Sequence, residues 1–496
     1  MTDDTSKLRA PSLLDALAPV LLLVTLLSLS VYLYGEDSSY GPNQIALVMA
    51  AILAGVIGHK NGHSWTAIEN GMLHGIQVAM GAILILLSVG MLIGTWILSG
   101  TVPAMLIYGL EIVSPEWFYP ATCLVSAIVA LAIGSSWSTA GTIGVGLMGI
   151  CISLGLDPAI TAGAIVSGAY MGDKMSPLSE TTNLAPSVAG SQLFEHIRHM
   201  TWTTLPAFTI AVVIFAFLGL SENVTTDTGQ ILVITDALKT EFNINIFLLT
   251  PMVVLFMLAR AKVPAIVSIF IGSIVAIVFA LIFQQDAILK MAGDNNLSHG
   301  FALIKGIWTT TFDGYKATSD VAAVKDLLSK GGMSSMLVTT WLITCALAFG
   351  GIMESVGLLS KFVSYIVSRV HTARGLILAT LGAGFATNII ASDQYMAVVL
   401  PGRMFREEYQ RRGLHPLNLS RALEDTGTVT SVLIPWNTCG AYFTATLGVS
   451  TFSYAPYALF NIISPLIAVF LAVIAFKILP LGKTNKDKSV TEAVAE

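Results

Sequence analysis

The chain has 496 residues, of which 54% are hydrophobic and 11% charged, with a formal net charge of −5 and a mean hydropathy of +0.77. A soluble domain carries about 25% charged residues, so these values exclude an ordinary soluble globule and indicate a polytopic membrane protein. The acidic balance and the lack of a basic arm exclude a nucleic-acid partner.

The first apolar run, 12–34, is long enough to cross a hydrocarbon layer about 30 Å thick. It lacks a small-residue cleavage site and reads as a retained helix. Further apolar spans follow at 44–58, 75–98, 117–133, 158–172, 201–219, 244–259, 263–283, 335–353, 375–391, 417–434 and 451–477. Two shorter stretches, 99–113 and 356–370, read as re-entrant or short spanning segments. The expected fold is therefore all-α, with about 12–14 transmembrane helices. The organisation is a first transmembrane repeat over 12–220, an acidic extracytoplasmic loop at 221–243, a second repeat over 244–477 and a tail at 478–496. The second repeat carries a polar connection at 284–332 with some amphipathic helix. Lys7, Arg9, Lys60, Arg198, Arg260, Lys262, the arginines at 403–412, Lys477 and the lysines of the tail fall on one side if both short stretches span, which puts both termini in the cytoplasm. The four cysteines (123, 151, 345, 439) sit in apolar runs without metal-ligand spacing and read as buried small hydrophobes.

Polar breaks interrupt the spans at four places. The sharpest is G-A-Y-M-G-D-K-M-S-P-L-S-E-T-T-N-L (168–184), where Pro177 disfavours helix at Ser176. The others are G-S-S-W-S-T-A-G-T (134–142), A-T-N-I-I-A-S-D-Q (386–394) and P-W-N-T (435–438). Asp157-Pro158 lies 19 residues before Pro177, and His415-Pro416 lies 19 residues before Pro435. Such correspondence, with opposite Lys/Arg bias in the connections at 143–157 and 402–415, predicts two inverted repeats with broken or re-entrant helices. Broken helices at membrane depth expose backbone oxygens and are tolerated only around protein or a cavity.

Oxygen ligands suit a hard cation such as Na⁺, whereas soft metals want Cys or His. The breaks supply Ser135, Ser136, Ser138, Thr139, Thr142, Thr181, Thr182, Asn183, Thr387, Asn388, Ser392, Asn437 and Thr438. Among the intramembrane acids, a charge costs at least about 2.5–3.5 kcal/mol at the membrane centre, so each needs a cation, a partner or a proton. Asp173 is the first candidate to bind a cation or a proton but never both; its neighbour Lys174 is a charge partner. Asp393 is the second and Asp425 the third. Glu354 reads as a helix end facing water, and Glu424 as a partner of Arg421 one turn earlier. Trp137 and Trp436 lie inside polar breaks and are expected to wall the site. G-V-G-L-M-G (144–149) lacks a βαβ context and G-K-T (482–484) lacks the upstream glycine of a phosphate loop, so neither indicates nucleotide binding.

With G-M-L-I-G-T-W-I-L-S-G-T-V-P (90–103), L-I-P-W-N-T-C-G-A-Y (433–442) and the breaks quoted above, the chain resembles the NhaC family of Na⁺/H⁺ antiporters over about residues 12–475. The resemblance implies exchange of cytoplasmic Na⁺ (or Li⁺) for external H⁺ across a prokaryotic inner membrane, with no cofactor. It places Asp173, Ser176, Thr181, Thr182 and Asn183 in one half-site and Thr387, Asn388, Ser392, Asp393, Asn437 and Thr438 in the other. Na⁺ is expected at Asp173, Asn183, Asn388 and Asp393. Glu180 stands where the family motif commonly reads Asp and adds a methylene. The family also contains organic-acid (malate with lactate) exchangers coupled to Na⁺ and H⁺. A small organic acid and a second copy of the chain are therefore further candidate partners, beside the ions and the bilayer.

Overall fold

A computed structural model describes residues 8–112, 114–221, 228–261, 263–294, 296–321, 324–325 and 328–482. Lys7, Lys262 and the tail lysines lie outside these. The described residues are almost wholly helical and contain no strand beyond an isolated bridge between Leu414 and Pro480. In chain order the helices are α1 (Leu13–Tyr34), α2 (Pro42–Lys60), α3 (Trp65–Leu98), α4 (Thr101–Ile112), α5 (Phe118–Ile133), α6 (Ser136–Thr139), α7 (Val145–Ser153), α8 (Pro158–Met175), α9 (Glu180–Ala189) and α10 (Leu193–Ser221). The second half holds α11 (Thr228–Glu241), α12 (Thr250–Arg260), α13 (Ala265–Phe283), α14 (Gln285–Ala292), α15 (His299–Asp313), α16 (Leu337–Ser355), α17 (Leu358–Ser368), α18 (Ala373–Ala391) and α19 (Gln394–Arg411). It ends with α20 (Pro416–Leu423), α21 (Thr438–Leu447), α22 (Thr451–Tyr454) and α23 (Leu459–Val473).

By length and composition eight of these helices can cross a membrane, or ten if each of two bent pairs counts as one span. The bends are 88° between 233–241 and 246–258, and 56° between 451–457 and 459–473. The runs at 158–172 and 417–434, read as spans in the sequence, and those at 99–113 and 356–370, read as re-entrant or short spanning segments, are largely helical over their described residues but too short, too polar or too interrupted to be counted. The segment 221–243, expected as a loop, forms α11 over most of its described length; its buried Leu238 tethers it. The polar connection forms the amphipathic helices α14 and α15.

On α13, Val267, Phe270, Ile274, Val278 and Ile282 are all exposed, one helical stripe of large apolar side chains turned outward. In water such a face would be a liability; against lipid it is the expected surface. Inside, small residues let helices approach. A Cβ on Gly172 of α8 would come within 2.2 Å of the Ala127 carbonyl on α5, and Gly75 of α3 is as close to the Leu347 carbonyl of α16.

The breaks are set by capping side chains in one repeated register. Ser135, Asp157 and Ser179 each cap a helix N-terminus, at intervals of 22 residues. Asp393, His415 and Asn437 do the same at the same intervals. In both halves the middle cap precedes a proline in the first turn, where its missing N–H costs nothing. Left-handed residues, Gly134 and Ser392, precede the first cap of each set. A π-helical segment interrupts each half, at Ala140–Gly144 and Glu424–Thr428; such segments are rare and concentrate at functional sites.

Candidate functional site

The first break is held by its own side chains. Helix α8 stops at Met175, and the Ser176 N–H donates to the Asp173 carbonyl at 3.0 Å. Ser176 Oγ accepts from the Leu178 N–H, and Ser179 restarts the helix by accepting from the Thr182 N–H. The Thr182 hydroxyl bridges back to the carbonyls of Asp173 and Lys174, at 3.2 and 3.1 Å. Asn183 donates to the carbonyls of Pro177 and Ser179. These groups absorb the carbonyls that Pro177 leaves without a helical partner. The Asp173 carboxylate is 8% exposed and accepts a 2.9 Å hydrogen bond from the Ser136 N–H, the first residue of the helix that Ser135 caps.

The second break mirrors this chemistry. Ser392 adopts a left-handed conformation (φ 59°) and turns the chain so that Asp393 caps α19, accepting from the N–H groups of Tyr395 and Met396 at 2.9 and 3.0 Å. Thr438 donates to the other Asp393 oxygen at 3.3 Å, and its N–H donates to the Ser392 carbonyl. Asn437 caps α21 and donates to the carbonyl and the amide oxygen of Asn388. Asn388 in turn donates to the carbonyls of Thr426 and Gly427, which the π-helical segment exposes, and to the Thr430 hydroxyl. Trp436 Nε1 donates to the Ile389 carbonyl.

Asp173 and Asp393 open into one cavity of about 550 Å³. Its polar wall includes Ser135, Ser136, Ser138, Ser179, Glu180, Thr181, Ser268, Gln394, Tyr395 and Thr438; its apolar wall includes Trp137, Ile85, Leu347 and Ile269. Among the described residues no Lys, Arg or His lines it. Of the residues singled out in the sequence, the structure thus brings Asp173, Asp393, Ser135, Ser136, Ser138, Thr181 and Thr438 together around the cavity. Ser176, Thr182, Asn183, Thr387, Asn388, Ser392 and Asn437 lie behind the wall, and most are engaged with the backbone of the breaks. Trp137 walls the cavity and Trp436 does not. Sequence reasoning passed over Tyr395, whose phenol donates to Glu180 at 2.6 Å across the two halves. Its signal was its place two residues after Asp393.

Two charge pairings differ from the sequence reading. Lys174 does not pair with the adjacent Asp173: it forms a fully buried ion pair with Asp425, which also accepts from Thr203 at 2.8 Å. Asp425 therefore lies outside the cavity as a charge partner. Adjacent residues on a helix point about 100° apart, so Asp173 faces the cavity and Lys174 the packing against α10 and α23. Arg421 and Glu424 make no ion pair, and neither oxygen of the fully buried Glu424 accepts a hydrogen bond. The chain is still α-helical through both residues, the Glu424 N–H donating to the Ser420 carbonyl, so packing rather than a change of register keeps the side chains apart.

No group of three or more His, Cys, Asp or Glu residues is spaced for a metal among the described residues. What the cavity presents is carboxylates, hydroxyls and an amide, a donor set of hard oxygens suited to an alkali cation or a proton. A profile of the Na⁺/H⁺ antiporter family matches residues 168–476. The chain is 37% identical over 425 residues to the Na⁺/H⁺ antiporter NhaC of Alkalihalophilus pseudofirmus, covering 86% of this chain and 88% of the relative. It is 36% identical over 419 residues to the malate-2H⁺/Na⁺-lactate antiporter of Bacillus subtilis, covering 84% and 86%. It is 35% identical over 483 residues to the arginine/ornithine antiporter ArcD of Halobacterium salinarum, covering 96% and 94%. With the match extending over both breaks and most of the helices, this multi-pass membrane chain belongs to the NhaC-type Na⁺/H⁺ antiporter family.

Proposed function

We propose that the protein exchanges Na⁺ or Li⁺ for H⁺ by alternating access, with Asp173 and Asp393 holding a cation or a proton in turn. The observation that carries the reading is that one acid from each half reaches a single cavity that, among the described residues, no cationic side chain lines. A buried carboxylate there must be compensated, and cation and proton are mutually exclusive ways of doing so. Loading one ion displaces the other, which makes exchange obligatory without further parts. Ser138, Thr181 and Thr438 supply neutral oxygens to complete a cation shell, and no bound cofactor is called for.

The matching cap registers support two repeats that work as inverted halves, one break from each meeting at the site. The placement of Lys60, Arg198, Lys477 and the arginines of 403–412 supports cytoplasmic termini in a prokaryotic inner membrane.

A second reading rests on the cavity's volume, which exceeds what a single ion needs and would admit a small organic substrate. An organic acid would meet two buried carboxylates and, among the described residues, no cation to clamp it, which costs affinity. A basic amino acid, the substrate named for the archaeal relative, would meet a wall of matching charge. Proton flux in proteoliposomes on adding Na⁺, Li⁺ or K⁺, with and without malate, lactate or arginine, tests both. Cation-triggered proton flux without an organic substrate is the expected result; flux that appears only when an acid or amino acid is supplied overturns the leading reading.

A further inference from the structure

The carboxylate cavity is not the only large one. A second, of about 740 Å³, is lined in part by Asp37, Asp313 and Lys316, at the end of the protein where α3 finishes and α16 begins. Both cavities meet the same helices at successive levels. On α3 the carboxylate cavity reaches Ile85 and the second cavity Ile93; on α16 they reach Leu347 and Leu342; on α21 they reach Thr438 and Ala441.

Where the two cavities adjoin, Trp137, on the wall of the carboxylate cavity, meets Tyr442, which follows Ala441 of the second cavity on α21. Their rings stack with centroids 4.1 Å apart and an interplanar angle of 12°, and the Tyr442 hydroxyl donates to the Trp137 carbonyl at 2.8 Å. Val89, on α3 midway between Ile85 and Ile93, is fully buried, and Gly141 lies beside both it and the Tyr442 hydroxyl. Gly141 makes the closure possible: a Cβ there would lie 2.9 Å from the Tyr442 hydroxyl and 3.2 Å from Val89. Stacked faces at this distance leave no room for water, and an ion that enters an apolar constriction must shed its hydration. Trp137 Nε1 is buried without an acceptor, so swinging the indole aside forfeits stacking but no side-chain hydrogen bond. The π-helical segment that starts three residues later gives that swing a place to pivot.

We propose that the second cavity is the access route from the opposite membrane face, and that Trp137, Tyr442 and Val89 form the partition that keeps exchange coupled. The inference rests on the transport reading above and goes beyond it. In this arrangement Asp173 and Asp393 are reached from the carboxylate cavity alone. Exchange to the other face needs the Trp137–Tyr442 stack to part while the first cavity closes.

The test uses full-length protein in proteoliposomes with single reporter cysteines, Leu178→Cys in the carboxylate cavity and Thr444→Cys in the second, the native cysteines being replaced. A membrane-impermeant thiol reagent is expected to label the two from opposite faces. Adding Trp137→Ala should open Leu178→Cys to the reagent from both faces, and should let an imposed pH gradient collapse without Na⁺ several-fold faster than in wild type. Val89→Ala, which thins the same layer, should leak less, and Trp137→Phe should stay tight. Labelling of both reporters from one face overturns the proposal, as does a gradient that Trp137→Ala and Val89→Ala hold as well as wild type. Sidedness of labelling is read without transport, so failure of the Na⁺/H⁺ reading is told apart from failure of the partition.

Discussion

Lys174 and Asp425 are 251 residues apart in sequence and form an ion pair in which neither side chain is exposed. The pair joins α8 of the first half to the π-helical segment of the second; Lys174 also donates to the Ser464 hydroxyl of α23, and Thr203 of α10 donates to Asp425. It crosses between the halves just behind the Asp173 break.

Breaking such a pair from one side leaves an uncompensated charge and costs about 3–5 kcal/mol. Lys174→Met or Asp425→Asn is therefore expected to lower the unfolding temperature of the detergent-solubilised protein sharply. The double variant Lys174→Met/Asp425→Leu should recover most of the loss, because two apolar side chains need no compensation. Single variants that melt like wild type would show that the pair does not tie the halves together.

Asp173→Asn and Asp393→Asn separate charge from shape. Asparagine caps a helix about as well as aspartate, so Asp393→Asn keeps the turn into α19. An amide oxygen at position 173 still accepts from the Ser136 N–H. Each variant is expected to insert and fold, and to lose Na⁺-driven proton movement by at least about tenfold, or about 1.4 kcal/mol of cation binding. Tracer Na⁺ uptake and proton flux check this, and an exchange rate within twofold of wild type in either variant would remove that acid from the site.

Competition at one carboxylate site fixes the sign of the pH dependence. As pH falls, more of the site is protonated, and a protonated site binds no cation. The apparent KM for Na⁺ should therefore rise on acidification, approaching about tenfold per pH unit once the site is mostly protonated. The maximal rate at saturating Na⁺ should change less. Initial rates across a pH series decide it: a KM that stays flat while the maximal rate falls would place the proton on a separate group.

The helices and the breaks were legible in the sequence because each has a local cause. Pro177 stops α8, Pro158 and Pro416 start helices, and the acids at 173 and 393 interrupt apolar runs. The pairing of Lys174 was not legible. Its neighbour Asp173 was the obvious partner by proximity in sequence, and only the opposed directions of adjacent helical side chains send it to Asp425. Asn183 and Asn388 look like ligands in sequence because amide oxygens bind cations; in the structure their amide nitrogens hold the breaks closed. Arg421 and Glu424 have ideal spacing on a helix that stays regular through both, and only the packing around them keeps them from pairing. The face of a side chain follows from helix phase, whereas the partner across 251 residues follows only from packing.

Glu180 and Tyr395 supply the last prediction. Glu180 is exposed, lines the carboxylate cavity and accepts the Tyr395 phenol from the other half. An exposed charge at a cavity wall attracts cations over a distance of about 10 Å at ordinary ionic strength and is screened by salt. Glu180→Gln is thus expected to raise the KM for Na⁺ by a few-fold, about 3–10, and to flatten its dependence on ionic strength. Tyr395→Phe, which frees the carboxylate from its phenol but keeps its charge, should change KM less and leave the salt dependence in place. Rates measured at low and high concentrations of an inert salt of a large organic cation separate these outcomes. Complete loss of exchange in Glu180→Gln, with the protein folded, would make Glu180 a direct ligand beside Asp173 and Asp393 rather than a charge at the cavity wall.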